Sequence, residues 1–296
     1  MLNGIINVYK EKGYTSHDVV AKLRGILKQK KIGHTGTLDP EAEGVLPVCL
    51  GKGTKLCDVI ENTDKTYQVV MLLGIETDTE DMTGSVVSQK EVNCTPEEVE
   101  EVIRSFQGNI MQIPPMYSAL KVNGKKLYEL ARSGKEVERR PRPVTIYDIK
   151  IITINLPEVV MEVRCSKGTY IRSLCRDIGK KLTCGGCMKS LIRTEACGFH
   201  YASSYRLNEI ERIKKYDDVR SIITSIDRMF VQYPAVIIPA KMNKLLYNGN
   251  TIEIDTEIQE EKVRVYDEKG HFIGVYLNKD HQIKPIKLFF DMESLN

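Results

Sequence analysis

The sequence predicts an α+β chain: a mixed, mainly antiparallel sheet with flanking helices, followed by a small β-rich C-terminal domain. Three features lead there. Some stretches alternate apolar residues with a period of two, and others repeat them near 3.6. The two kinds interleave irregularly, without the strand–helix–strand rhythm that builds a parallel sheet. After Tyr233-Pro234 the helical patterns give way to short β-like runs.

Taken in order, the first helix is expected over 16–28, where Val19, Val20, Leu23, Ile26 and Leu27 fall at helical spacing. Thr15-x-x-Asp18 has the form of a capping box, which satisfies N–H groups that a helix start leaves unpaired. Ser16-His17-Asp18 therefore reads as capping and not as a hydrolase triad, because consecutive helical side chains point about 100° apart. The clearest helix is 96–107. Thr95 caps it, Pro96 fits its first position, and Glu97 and Glu98 suit the positive end of its dipole. Val99, Val102, Ile103 and Phe106 make its apolar stripe, and Gly108 is expected to stop it. A third helix, 171–182, buries Ile171, Leu174, Cys175, Ile178 and Leu182, and a short one falls near 126–132. Strands are expected at 66–74, 144–154 and 159–165, from their β-branched or alternating apolar residues. Between 109 and 143 the pattern loosens into a Pro-Pro pair, glycine turns and many bases, an excursion from the sheet. The chain thus divides into 1–232, which carries this insertion, and 233–296, where VRVYDEKG and HFIGVYL flank a turn at Glu268-Lys269-Gly270.

With 42% hydrophobic and 28% charged residues, the composition is that of an ordinary globular protein. The longest apolar run, VVMLLGI at 69–75, is strand-sized, and MLNGIINVYKEKG resembles no export signal. The cytoplasm is the expected location, with no membrane contact. Eight cysteines in such a chain argue against a disulfide framework. Cys184-Gly-Gly-Cys187 lacks the second pair that a zinc site wants, so the thiols read as buried and no metal is expected. The net charge of +3 is mild but unevenly spread. Residues 164–193 hold eight Lys/Arg against one acid, and 121–142 hold eight against three. By contrast, 251–270 hold seven acids and three bases. The basic stretches fit either a polyanion footprint or two solvated faces.

No Walker A loop, GxGxxG, HExxH or paired CxxC set occurs, so no cofactor is expected and the chemistry falls to side chains. KIGHTGTLDPEAEG, at 31–44, surrounds one carboxylate, Asp39, with glycine and threonine and follows it with Pro40. A residue before proline is pushed toward extended geometry. Gly33 and Gly36 allow tight turns, and Thr35 and Thr37 offer hydroxyl partners. Two readings stand at this point: a carboxylate held in a set direction for chemistry, and a structural turn with Asp39 as an N-cap before Glu41.

GHTGTLDP resembles the signature of the TruB-type pseudouridine synthases, the tRNA pseudouridine-55 synthases. Other blocks agree in the same order: TSHDVV (15–20), DKTY (64–67), GIETDTEDMTG (74–84), QIPPMYSALKVNGKKLYELARSG (112–134), RPVTIYDI (142–149) and KGTYIRSL (167–174). Leu191-x-Arg193-Thr194 and Gly198-Phe199 complete a likeness that spans residues 3–200. Gly53, in place of the family's usual alanine, and CGGC, in place of a glycine/alanine-rich stretch, are local departures.

The resemblance implies the pseudouridine synthase fold with a PUA-like tail, and isomerisation of the T-loop uridine of tRNA after the base is flipped out. Asp39 matches the family's catalytic aspartate, Arg172 the arginine paired with it, and Tyr67 its active-site tyrosine. Attack at C1′, attack on the base and a glycal route all remain open. Tyr170 and Leu191 match pocket residues, and His34 matches a histidine that contacts RNA. The 109–143 insertion corresponds to an RNA-gripping segment, with Lys121, Lys125, Lys126, Arg132, Arg139, Arg140 and Arg142 as phosphate contacts. The implied partner is the tRNA T-arm stem-loop, met by a monomer with no obligatory protein partner. The alternatives are a non-catalytic tRNA-binding or folding module, which intact Asp39, Tyr67 and Arg172 oppose, and a guide-RNA-dependent synthase of the dyskerin type. HTGTLDP in place of a serine-containing variant, and the short N-terminal stretch, favour the stand-alone enzyme.

Overall fold

The computed structural model describes residues 1–60, 63–122, 124–254 and 258–290. Asn123 of the expected RNA-gripping segment, Asp255 and Glu257 of the acidic stretch, and 291–296 of the tail lie outside the described residues.

The larger sheet runs in the order Gly4–Lys10, Glu43–Leu50, Gly186–Ala196, Lys65–Leu73, Glu158–Cys165, Arg142–Asn155 and Gly108–Gln112, with Ile32–His34 and Phe199–His200 attached at its sides. Its described neighbours pair antiparallel except Glu43–Leu50 with Gly186–Ala196, where Ile192 meets Glu43 and Arg193 meets Gly44. The sheet is therefore mixed and mainly antiparallel, as expected. Period two explains its buried face. Lys65, Tyr67, Val69, Met71 and Leu73 point one way, and Val159, Met161, Val163 and Cys165 extend the same surface. The helices Pro96–Arg104 and Ile171–Lys181 cover it with Val99, Ile103, Ile171, Leu174 and Ile178. A second cluster joins the helix Ser16–Leu27 to Leu207–Tyr216 and to Ile6, Val8, Leu46 and Val48. Each such fully buried side chain contributes about 1.5–3 kcal/mol relative to exposure.

The smaller sheet runs Ala235–Ile238, Lys262–Asp267, Phe272–Lys279, Gln282–Leu288 and Ile252–Glu253. It packs on the larger one through Phe230, Phe272 and Phe289, beside Ile5, Val45 and Cys49. Among the described residues no helix is long and apolar enough to cross a membrane.

Local chemistry produced the expected elements. Thr15 and Thr95 both form complete capping boxes. The helix at 96 is shorter than expected, ending at Arg104: Ser105 closes it, and Gly108 (φ +99°) opens a strand instead. That strand, Gly108–Gln112, pairs with Arg142–Ile146, so the excursion from the sheet contracts to 113–141. The sequence reading assigned no element to Gly4–Lys10, Glu43–Leu50 or Gly186–Ala196. All three lie on one side of the sheet path, next to the Asp39 loop.

Candidate active site

The loop carrying Asp39 joins the paired strands Ile32–His34 and Glu43–Leu50. Leu38 and Ala42 anchor it in the main core, while the Asp39 side chain stays 43% exposed. The threonines do not hold it, contrary to expectation. The Thr35 hydroxyl is buried with no hydrogen-bond partner among the described residues, and Thr37 is exposed. Gly33 sits in a strand opposite Cys49, so of the two expected turn glycines only Gly36 (φ +71°) uses left-handed freedom.

Groups from distant segments hold the loop instead. Ser16 Oγ accepts from the Leu38 N–H at 3.0 Å and donates to the Leu38 carbonyl at 3.3 Å. Lys10 Nζ donates to the carbonyls of Ala42 at 2.5 Å and Pro40 at 3.0 Å. Arg193 Nε donates to the Val45 carbonyl at 2.7 Å, and its Nη2 donates to the Gly36 carbonyl at 2.8 Å. Lys10 is 0% exposed and Arg193 1%. Buried cations are costly unless their donors are met, and here backbone carbonyls meet them. Burial pushes the Lys10 ammonium down to about 8, against the upward pull of Glu43, Asp39 and Glu41. The backbones also close up. A Cβ at Gly44 would stand 2.2 Å from the Arg193 carbonyl oxygen, so only glycine fits there.

Arg172 takes the carboxylate itself. Its Nε lies 3.0 Å from Asp39 Oδ2, and its side chain is 6% exposed. Nη1 donates to the Thr79 carbonyl at 3.0 Å and stands 3.6 Å from Asp81 Oδ2, while Nη2 donates to the Tyr117 carbonyl at 2.8 Å. One planar fork thus ties together the Asp39 loop, the turn at 79–83 and the segment after Gln112. The cation sits in the first turn of Ile171–Lys181, where it opposes the helix dipole, and two carboxylates offset that cost. The Asp39 carboxylate thus faces an arginine from a distant helix and caps no helix among the described residues.

Tyr67 and Leu191 line the same apolar cluster as Leu38. Burial raises the Tyr67 phenol above its ordinary value, and the neighbouring Arg193 charge pulls it the other way. Tyr170 is the residue before the Ile171–Lys181 helix. Gln112, itself buried, brackets its backbone, accepting from its N–H at 2.8 Å and donating to its carbonyl at 3.0 Å. His34 stands on the strand leading into the loop, its ring edge-on to His17 at 5.1 Å.

Sequence reasoning missed several residues that build this site. Asp81 is buried, its Oδ1 accepting from Thr79 Oγ1 at 2.7 Å and from the Thr83 N–H at 2.9 Å. Glu80, left-handed at φ +64°, accepts from Ser173 Oγ at 2.6 Å and pairs with Arg176. Lys10, Gln112 and Arg193 were missed as well. The available signal was that Glu80, Asp81, Gln112 and Arg193 fall inside the shared blocks. Of the phosphate candidates, Lys121, Lys125, Arg132, Arg140 and Arg142 are exposed. Lys126 and Arg139 are half-buried, Lys126 against Tyr128 and Arg139 donating to the Pro114 carbonyl at 3.1 Å.

The architecture is shared with a chain of a Cbf5–Nop10–Gar1 complex, at a TM-score of 0.72 and 26% identity over 98% of this chain and 86% of that one. Residues 24–171 match the N-terminal domain of the TruB family pseudouridylate synthases. Residues 172–231 match the tRNA pseudouridylate synthase B C-terminal domain, and 234–289 match the C-terminal region of pseudouridine synthase II TruB. Proteins named tRNA pseudouridine synthase B are 54% identical in Lachnoclostridium phytofermentans and 48% identical in Clostridium kluyveri, each over 97% of this chain and the relative's full length. The chain belongs to the TruB family of pseudouridylate synthases.

Proposed function

We propose that the protein isomerises the T-loop uridine at position 55 of tRNA to pseudouridine, acting alone, as a monomer, in the cytoplasm. The observation that carries this is the pairing of Arg172 with Asp39, on a loop held by Ser16, Lys10 and Arg193, with Tyr67 in the core cluster that anchors that loop. The reaction breaks the N1–C1′ bond, turns the freed uracil and joins C5 to C1′. It requires no redox partner and no ATP. Asp39 supplies the negative charge that meets the electron-poor sugar carbon, and its half-exposed carboxylate is reachable by a flipped nucleotide. Arg172 keeps that carboxylate in place. Tyr67 stacks against the base and handles the proton at C5, while Tyr170 and Leu191 wall the pocket. His34 meets the RNA beside the flipped nucleotide. Lys121, Lys125, Lys126, Arg132, Arg139, Arg140 and Arg142 grip phosphates of the stem-loop. Residues 1–232 form the catalytic part and 233–296 a PUA-like tail.

Release of tritium from C5-labelled uridine in an unmodified T-arm stem-loop tests the reading, with purified protein and no guide RNA. The wild type is expected to release tritium, and Asp39→Asn to lose roughly 10³-fold or more of the rate while still binding the stem-loop. A wild type inactive until a guide RNA or second protein is added favours the dyskerin-type alternative. Unchanged turnover in Asp39→Asn refutes the role of Asp39.

A further inference from the structure

Arg193 ranks among the largest fully buried side chains of the protein, and no carboxylate stands within ion-pair distance of it among the described residues. In the sheet it lies directly across from Tyr67, so the two side chains leave the same face as neighbours. Its donors to Gly36 and Val45 brace the loop on both sides of Asp39. Its charge also acts on the Tyr67 hydroxyl. The charged and titratable groups that act on that hydroxyl are Arg193 from the Gly186–Ala196 strand, Cys165 from the Glu158–Cys165 strand and Asp39 from the loop, and Lys10 of Gly4–Lys10 in turn feels the charge of Arg193. Of these groups acting on Tyr67, Arg193 is the cation. Burial, Cys165 and Asp39 all favour the neutral phenol, and Arg193 favours the phenolate.

We propose that Arg193 is a positioning residue that makes Tyr67 the proton acceptor of the reaction, by holding the phenolate that takes the proton from C5. This rests on the pseudouridine synthase reading above. Once C5 has joined C1′, the Tyr67 oxygen takes the C5 proton and the C5–H electron pair becomes the C5=C6 bond. The electrons of the C6=N1 bond settle on N1, which takes a proton from solvent. Tyr67 then returns its own proton to solvent, so atoms and charge balance. A guanidinium suits the task because its fork can serve two carbonyls and a phenolate together, and an ammonium cannot. Buried and unpaired, its charge also acts through a medium of low dielectric constant.

Single-turnover tritium release measured from about pH 6 to about pH 10 tests the inference, since a phenol titrates near 10 unless perturbed. The wild type, Arg193→Gln, Arg193→Lys, Tyr67→Phe and the Arg193→Gln/Tyr67→Phe double variant are compared, with thermal melting and stem-loop affinity alongside. Arg193→Gln is expected to slow the reaction about 10²-fold near neutral pH, the scale of a general base. Because burial holds the Tyr67 phenol above its ordinary value, both rates should climb with pH, that of Arg193→Gln displaced to higher pH, and Arg193→Gln should add little to the defect of Tyr67→Phe. A loss that multiplies with that of Tyr67→Phe, or a rate that does not rise with pH in either protein, overturns the proposal and leaves Arg193 a brace for the loop. Should Arg193→Gln fail to melt cooperatively, Arg193→Lys decides: a rise displaced to higher pH supports the proposal, and a wild-type profile overturns it. A wild type that releases no tritium refutes the parent reading, and is told apart by that one protein.

Discussion

Two aspartates, one on a loop of the larger sheet and one at a strand end of the smaller, show how the same side chain is put to opposite uses. Asp267 ends a strand of the smaller sheet and is 1% exposed. Its Oδ1 accepts from the N–H groups of Lys269 at 2.9 Å and His271 at 2.8 Å. Its Oδ2 meets the Tyr247 hydroxyl and His271 Nδ1, both at 2.8 Å. Burial works to raise this carboxyl, yet His271 and Tyr247 together hold it below its usual value. Asp39 has Arg172 at one oxygen and solvent around much of the rest. A carboxylate whose acceptors are all used locally is architecture. One held by long-range cations with acceptor capacity to spare is placed for a ligand.

Exchanging each carboxylate for its amide separates the two uses most widely. Asp39→Asn is expected to cost roughly 10³-fold in rate and to leave the melting temperature nearly unchanged. Asp267→Asn should do the reverse, losing about 1–3 kcal/mol of stability from unmatched buried groups while turnover per folded molecule holds. The acid limb differs too. Because the carboxyl of Asp267 is depressed in the folded state, its contribution is present above pH 3.8 and lost as the pH falls through its folded value. Asp267→Asn should therefore flatten that limb of the stability curve. Equal effects of the two substitutions on rate would break the contrast.

Lys10 sharpens the comparison, because it holds the Asp39 loop through a buried amine. Its pKa of about 8 lies below the ordinary 10.5, so between those values the unfolded chain binds a proton that the folded one does not. Stability then rises with pH across that window. Chemical denaturation of the wild type and Lys10→Met at stepped pH should show the wild type gaining on the variant above pH 8. Parallel curves would mean that Lys10 stays charged throughout. Lys10→Met should also lower the rate more than it weakens stem-loop binding, since the lysine is buried against the loop.

The parts of the fold legible in the sequence are those where one local signal suffices. Thr15 and Thr95 wrote their helix starts directly, and the apolar pattern at 66–74 gave a strand, found at Lys65–Leu73. Gly186–Ala196 was not legible. It crosses the sheet between two neighbours with bulges in its ladder, so its apolar residues keep no clean period. The site divides the same way. The Asp39–Arg172 pair followed from shared blocks of sequence, not from spacing along the chain. The clamps on Asp39 escaped because Lys10 and Arg193 bind carbonyls, and a backbone acceptor leaves no trace in residue identity. Thr35 misled for the converse reason: a hydroxyl beside the acid looked like a partner and is buried without one among the described residues.

The smallest effects are expected in the basic segment, where the distinction between holding structure and meeting RNA can be drawn residue by residue. Lys125 and Arg140 are exposed, whereas Arg139 is half-buried and donates to the Pro114 carbonyl. Neutralising an exposed phosphate contact removes about one released counterion, so Lys125→Gln and Arg140→Gln should each weaken stem-loop binding a few-fold and lower the salt slope by roughly one. The single-turnover rate at saturating RNA should not move. Arg139→Gln should instead loosen the segment whose Tyr117 carbonyl is bound by Arg172, and so lower the rate as well as the affinity. Binding titrations at several salt concentrations, paired with tritium release, distinguish the two patterns. Identical behaviour of Arg139 and Arg140 would show that the carbonyl contact does not separate them, and that charge alone sets what this segment does.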